Sequence, residues 1–271
     1  MFHSLFPRGL WALAQSIRNA ELCVFHAFTH TSNLIGVIVS LCSLGNVPVV
    51  CTITGMGRVF SYKGILGICA RAFVRLGYLF SQFFVCVIIV QNQDDFRELA
   101  GLLMARNQNK LLMTAGSGIP LDYFDGVTPR QYPTDALLKV GFFSRALKEK
   151  GVWTFFRLAD SYRHDKTISF YQAGMPGTDD LSVERIEITA RDHNVAYIGH
   201  VSDIRSWLLG VDVVVIPSSY REGLPRLLIE AMLAGKIVVA KQTTGVRDHL
   251  INGYNGFIYS DDSDLPSLFE R

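Results

Sequence analysis

Two cations and two acids in the second half of the chain have the types and spacing to hold a charged, hydroxyl-bearing ligand: Arg145, Lys150, Glu222 and Glu230. A forked guanidinium and a point-charge ammonium can grip a diphosphate and stabilise it as it departs as a dianion. Carboxylates accept hydrogen bonds from ligand hydroxyls. Glu222 and Glu230 bracket a Gly-Leu-Pro turn inside the stretch Tyr220–Gly235, and Arg145 and Lys150 follow the apolar run that ends at Phe143. Each also has a plainer reading when taken alone. Glu222 would be a solvated loop acid, Glu230 a helix-surface acid, and Lys148, Glu149 and Lys150 a charged helix start.

The elements that must position these groups read as strand, loop, helix, strand. Val211–Ile216, closed by Pro217, has the near-continuous apolar character of a buried parallel strand, and Ile237–Ala240 reads as the next one after a Gly235 stop. Pro225 fits the first helical position, where a missing N–H costs nothing, so the free amides of that turn would face the crevice beyond the strand ends and favour an anion. Glu222 would lie in the loop at the crevice edge and Glu230 about two turns into the helix.

Alternation of strand and helix runs through the whole chain. Strands are expected at Glu21–His26, Val47–Ile53, Val85–Val90, Lys110–Thr114, Leu137–Phe143, Thr167–Gln172 and Val195–Ile198, besides the two above. Helices are expected near Ser32–Leu44, Lys63–Phe80, Asp94–Arg106, Lys150–Arg163, Asp180–Arg191, Asp203–Leu209, Pro225–Ala234 and Gly245–Ile251. The turn-rich stretch Leu121–Asp135 reads as a linker, which predicts an α/β protein of two lobes, residues 1–120 and 136–271. The first lobe offers only about four strands and reads as incomplete.

Composition narrows the classes. A chain of 271 residues with 49% hydrophobic and 18% charged residues can bury two cores. A formal charge of +2, without a Lys/Arg run, argues against nucleic acid as a partner. The five cysteines, Cys23, Cys42, Cys51, Cys69 and Cys86, lie in apolar surroundings without a Cys-x-x-Cys pair and read as buried free thiols in a reducing compartment. The N-terminal residues lack the pattern of a secretory signal, which places the chain in the cytosol. Phe83–Val90 is too short to span a membrane and reads as a strand. Ala70–Phe84 carries Arg71 and Arg75 among aromatic and aliphatic residues; core packing is the reading preferred for it over a basic surface helix at a membrane.

Other signals are weaker. Gly55-Met-Gly57 and Gly116-Ser-Gly118 follow strands but lack the third glycine of a dinucleotide fingerprint, and read as backbone turns. His26 and His30 are four apart, yet His26 ends a strand and no further ligand adjoins, so no metal is expected. Asp262-Ser-Asp264 reads as a solvated turn rather than a metal motif. No nucleophile elbow or Cys/His pattern supports hydrolysis.

The stretches Phe25–Thr29, Ile53–Gly57, Val90–Asp95, Gly116–Ile119, Ser144-Arg145 with Lys150-Gly151, Tyr220–Gly235, Gly245–Asp248 and Gly253–Gly256 together resemble the family 4 retaining glycosyltransferases of the two-lobed GT-B fold, in particular bacterial enzymes that build O-antigen, capsule or lipid-linked glycans. The resemblance implies two Rossmann-like lobes and transfer of a sugar with retention from a nucleotide-diphosphate donor, UDP-linked, to a lipid-linked or saccharide acceptor, without a metal or other cofactor. It implies that Arg145 and Lys150 hold the departing diphosphate, that Glu222 contacts the donor sugar with Gly223 and Leu224 offering backbone amides, and that Glu230 binds the ribose hydroxyls. It sets His26, His30, Gly55 and Gly57 on the acceptor and donor-sugar side, and the enzyme on the cytoplasmic face of the inner membrane with peripheral contact.

The chain also departs from the family pattern. Many members carry a His two residues after the one matching His26, and Phe28 stands there instead. The usual glycine-rich acceptor loop on the first strand and the final helix that returns to the first lobe are not recognisable, so the chain reads as truncated at both ends. Two alternatives follow: a remnant that binds nucleotide without transferring sugar, and a sugar-nucleotide epimerase of the same fold.

Overall fold

The computed structural model describes residues 24–43, 45–57, 60, 64–131, 138–177 and 182–270. They form two compact units, and the division does not follow a single cut in the sequence. One unit ends at Gly116 and takes in the short segment Arg221–Leu224; the other comprises Ser117–Tyr220 and the chain from Pro225 onward. The segment Leu121–Asp135 falls in the second unit, and its residues 132–135 lie outside the described residues.

The first unit is built on four parallel strands in the order β1 (Phe25–Phe28), β2 (Val49–Ile53), β3 (Val87–Val90) and β4 (Leu111–Met113). The connecting helices are α1 (Thr29–Cys42), α2 (Gly64–Ser81) and α3 (Gln93–Ala100). Val37 and Val39 of α1 join Val49, Cys51, Ile53, Ile88, Val90 and Leu111 in one apolar core. Gly36 lets α1 approach the sheet closely, since a Cβ there would lie 2.9 Å from Val49 Cγ1. The first expected strand is shifted toward the C-terminus, its residues 21–23 lying outside the described residues, and the third helix stops at Ala100 before a 3-10 turn at Ala105–Lys110.

Helix α2 corrects the core reading. Ile65, Leu66, Ile68, Phe73, Leu76 and Phe80 are exposed, and only Gly67, Tyr78 and Ser81 are buried. By length and composition the helix would also pass as a membrane span. The cysteines are corrected with it: Cys51 is buried, but Cys42, Cys69 and Cys86 are exposed free thiols, because they sit on outward helix positions and at a strand approach rather than under the sheet. Cys23 lies outside the described residues.

The second unit holds six parallel strands: β5 (Leu138–Phe143), β6 (Ile168–Ala173), β7 (Val195–Gly199), β8 (Val213–Ile216), β9 (Ile237–Lys241) and β10 (Phe257–Tyr259). Between them run α4 (Val152–Ser161), α5 (Val183–Asp192), α6 (Arg205–Gly210), α7 (Arg226–Leu233) and α8 (Thr244–Arg247). The strand order is β10-β9-β8-β5-β6-β7, so the chain winds outward from β5, then returns to β8 and winds the other way. A doubly wound sheet of this kind opens a crevice where the direction reverses, at the carboxyl ends of β5 and β8. Its core packs Phe142, Phe155, Phe156, Leu158 and Phe170 at 2% exposure or less. Strand β10 was not expected; at three residues, Phe257–Tyr259 is too short to show a period.

Asp262 is another correction. Its carboxylate accepts from Lys241 Nζ at 2.7 Å, Thr154 Oγ1 at 2.6 Å and Arg157 Nη2 at 3.1 Å, tying α4 and β9 to the C-terminal segment. The solvated turn is formed by Asp261, Ser263 and Asp264, as expected for the last two.

Candidate active site

The β5–α4 loop carries both cations. Arg145 follows the end of β5 by two residues, exposed, and has no carboxylate partner among the described residues. Lys150 ends a single 3-10 turn at Lys148–Lys150, after which Gly151 takes a left-handed φ of 83° and starts α4. A Cβ at Gly151 would lie 2.2 Å from the Pro217 carbonyl oxygen, so only glycine lets this loop touch the one after β8. Ser219 N donates to Glu149 O at 2.9 Å and completes the join. The Lys150 ammonium lies 5.3 Å from the centre of the Tyr220 ring. Burial, and then the Arg145 guanidinium beside it, push the Lys150 ammonium down to about 8.

The loops after β5, β6 and β7 and one face of α7 enclose a cavity of about 310 Å³, lined by Ser144, Arg145, Gly174, His200, Val201 and Glu230 among others. Gly174 admits the β5 loop: a Cβ there would sit 2.0 Å from Ser144 O. Beneath it, the buried Gln172 amide donates to Gly174 O at 3.2 Å and reaches Ser144 O at 3.5 Å, linking the two loops. Glu230, in the second turn of α7, is 6% exposed. Its Oε1 accepts from Tyr123 Oη at 2.9 Å and Arg226 Nε at 2.8 Å. Pro225 is one position earlier than expected: with ψ at 121° it caps α7 from outside rather than opening it. The structure thus brings Arg145, Lys150 and Glu230 to the carboxyl end of one sheet, where Arg145 and Glu230 line one cavity, a candidate ligand site.

Glu222, Gly223 and Leu224 belong to the segment that groups with the first unit. There Gly223 N donates to Thr54 O at 2.8 Å and Gly57 N donates to Arg221 O at 3.0 Å. Asn92 Nδ2 donates to Glu222 O at 3.3 Å. Arg221 reaches Asp95 Oδ1 through Nη2 at 2.8 Å and Glu98 Oε2 at 3.0 Å. Asp95 is fully buried, which raises its carboxyl above the usual range, opposed by the Arg221 charge. The expectation for Gly223 therefore changes: its amide is already engaged by a carbonyl, and a Cβ at Gly223 would meet Gln91 at 2.5 Å. Gly55 and Gly57 also serve this segment. Gly55, at φ 124°, would place a Cβ 2.4 Å from Gly223 N, and Gly116 would place one 2.6 Å from the Leu224 side chain. Gly55, Gly57 and Gly116, read as turn residues in the sequence, are where the first unit admits Arg221–Leu224.

The two histidines are held separately. His26 Nε2 pairs with Thr52 Oγ1 at 2.7 Å and its ring stacks on Phe28, whereas His30 contacts Tyr78 Oη at 2.6 Å and Met56 O at 3.2 Å. His30 also edges an apolar groove between α1 and α2, whose lining among the described residues includes no Lys or Arg. Sequence reasoning missed Tyr123, Arg226, His200 and Gln172. Only Arg226 left a signal, its four-residue spacing from Glu230 on a helix.

Comparison with known proteins decides the family of this site. The model of glycosyl transferases group 1 matches residues 137–270. Residues 137–270 are a group 1 glycosyltransferase domain. The group 1 domain is accompanied by similarity over most of the chain. The chain is 26% identical, over 92% of its length and 66% of the relative's, to N,N'-diacetylbacillosaminyl-diphospho-undecaprenol alpha-1,3-N-acetylgalactosaminyltransferase of Campylobacter jejuni. It is 28% identical, over 49% of its length and 35% of the relative's, to the capsular polysaccharide biosynthesis glycosyltransferase CapM of Staphylococcus aureus. Among solved structures, Anabaena HepE in complex with UDP-glucose superposes with a TM-score of 0.75 at 16% identity, over 96% of this chain and 71% of HepE. Sucrose-phosphate synthase from Thermosynechococcus elongatus gives 0.74 at 18% identity, over 100% of this chain and 70% of that one. The chain has the α/β fold with parallel sheets of these GT-B neighbours. It spans about two thirds of the Campylobacter relative and about a third of the Staphylococcus one.

Proposed function

We propose that the protein transfers a sugar, with retention, from a UDP-linked donor to a lipid-linked or saccharide acceptor in the assembly of a bacterial surface glycan. The observation that carries this is the convergence of Arg145, with Lys150 beside it, and Glu230 at one cavity of the group 1 domain. In this reading Arg145 and Lys150 bind the diphosphate and take up the negative charge that grows as the glycosidic bond to it breaks. Glu230 receives the ribose hydroxyls, and His200 and Val201 border the base. The two cations do the work a divalent ion does elsewhere, so transfer is metal-independent. HepE, which binds UDP-glucose, and the Campylobacter enzyme, named for a diphospho-undecaprenol acceptor, support the donor and acceptor classes. The exposed apolar face of α2, with Arg71 and Arg75 and no acid, supports peripheral contact with an anionic membrane at the cytoplasmic face.

The test is sugar transfer by Arg145→Ala and Glu230→Ala variants, with and without chelator. Each substitution lowers transfer by about tenfold or more, the scale of losing a charge-assisted contact, and chelator changes nothing. Wild-type rates in both variants would overturn the assignment.

A further inference from the structure

Glu230 is already gripped before any ligand arrives. Both donors that reach it, Tyr123 Oη and Arg226 Nε, land on the same oxygen, Oε1. A carboxylate offers about four acceptor directions over its two oxygens. Two donors on Oε1 fix the carboxylate plane, and Oε2 has no partner among the described residues. Tyr123 is itself held from two sides. Arg205 Nη1 donates to its carbonyl at 3.0 Å, and the guanidiniums of Arg205 and Arg226 lie 5.5 and 5.7 Å from its ring centre. Arg205 is pinned in turn by Asp203. The phenol thus reaches Glu230 from 107 positions away in sequence, on a side chain with few alternative placements.

We propose that Tyr123 and Arg226 are positioning residues that set Glu230 to receive a vicinal diol, and that this pair lets the domain discriminate a ribonucleotide from its 2′-deoxy counterpart. The inference rests on the reading of Glu230 as the ribose-binding group. A carboxylate free to rotate accepts from whichever hydroxyl is presented. One held in a single plane loses little freedom on binding two neighbouring hydroxyls, and a ligand lacking one of them leaves a mostly buried acceptor unpaired.

Calorimetry on the 271-residue chain with UDP and 2′-deoxy-UDP tests this. The wild type prefers UDP by about tenfold, the scale of one hydrogen bond to a charged group. Tyr123→Phe keeps the ring and both cation contacts but loses the donor; the preference shrinks to about twofold or threefold, with UDP weakened and 2′-deoxy-UDP nearly unchanged. In a Glu230→Gln background the same change has no further effect on the preference. A purely structural role for Tyr123 would weaken both nucleotides alike, and that result, or an intact preference in Tyr123→Phe, overturns the proposal. Equal wild-type affinity for the two nucleotides overturns it as well. If the wild type binds neither, the ribose reading of Glu230 has failed and takes this inference with it. If Glu230→Gln abolishes the preference while Tyr123→Phe leaves it intact, only the positioning role falls.

Discussion

Among the described residues both units are built on parallel sheets, and the second reverses its winding where the first does not. In the first, β1 to β4 follow one another in sequence order, so the described strands contain no switch point. In the second, the return from β7 to β8 leaves the β5 and β8 loops side by side, and the cations and the buried glutamate gather at that end of the sheet. A switch in winding makes a crevice without any specialised motif, because two loops leave adjacent strands in opposite directions. The units also differ in what covers them. Helix α4 buries Val152, Phe155, Phe156, Leu158 and Ala159, whereas α2 presents most of its large apolar side chains to the outside.

The largest expected effect tests that difference in cover. Phe155→Ala, in the core of the second unit, costs about 4 kcal/mol of stability, while Phe73→Ala, three-quarters exposed on α2, stays within about 0.5 kcal/mol. Urea denaturation of both variants measures it, and a comparable loss in each would erase the distinction. Next in size is Arg221→Ala. Removing the guanidinium leaves Asp95 buried with Asn92 as its remaining partner, a loss of about 3 kcal/mol. Hydrogen exchange should then quicken around residues 54–57 and 91–98 but not in the second sheet; uniform exchange would show that Arg221–Leu224 is not anchored by the first unit.

The smallest effect sharpens the electrostatics of the site. Since Lys150 holds its proton only to about pH 8, the proposed role of Lys150 as one of two cations for a diphosphate predicts that affinity for UDP falls by about threefold as pH rises from 7 to 9. Lys150→Arg keeps its charge through this range and flattens the profile. Stability moves the other way. A lysine whose pKa is depressed by folding binds fewer protons folded than unfolded, so its cost to stability is full below pH 8 and is relieved between there and the unfolded value. Calorimetry and thermal melts across the same pH series read both slopes, and parallel slopes would exclude Lys150 as their source.

Much of this was legible in the residue order, and the departures have identifiable causes. Apolar runs such as Val213–Ile216 and Ile237–Lys241 fall where their patterns predict, because strands buried on both faces need unbroken hydrophobic stretches. The apolar pattern of α2 could not say whether a neighbour would cover it, since core and interface helices share one composition. Asp262 looked like any acid in a polar loop until the fold delivered Lys241 and Arg157 to it.

By itself the sequence determined the alternation of strand and helix, the glycines at which chain could approach chain, and the cations and acids with the chemistry for a diphosphate and a sugar. Those are local properties, set by side-chain type and short-range periodicity. Tertiary structure alone decided that Tyr123 would meet Glu230, that Gly55 and Gly116 would make room for Arg221–Leu224, and that Lys150 would lose proton affinity beside Arg145. Such pairings join residues tens of positions apart or depend on how deeply a charge is buried, and neither distance nor dielectric is written in the order of residues.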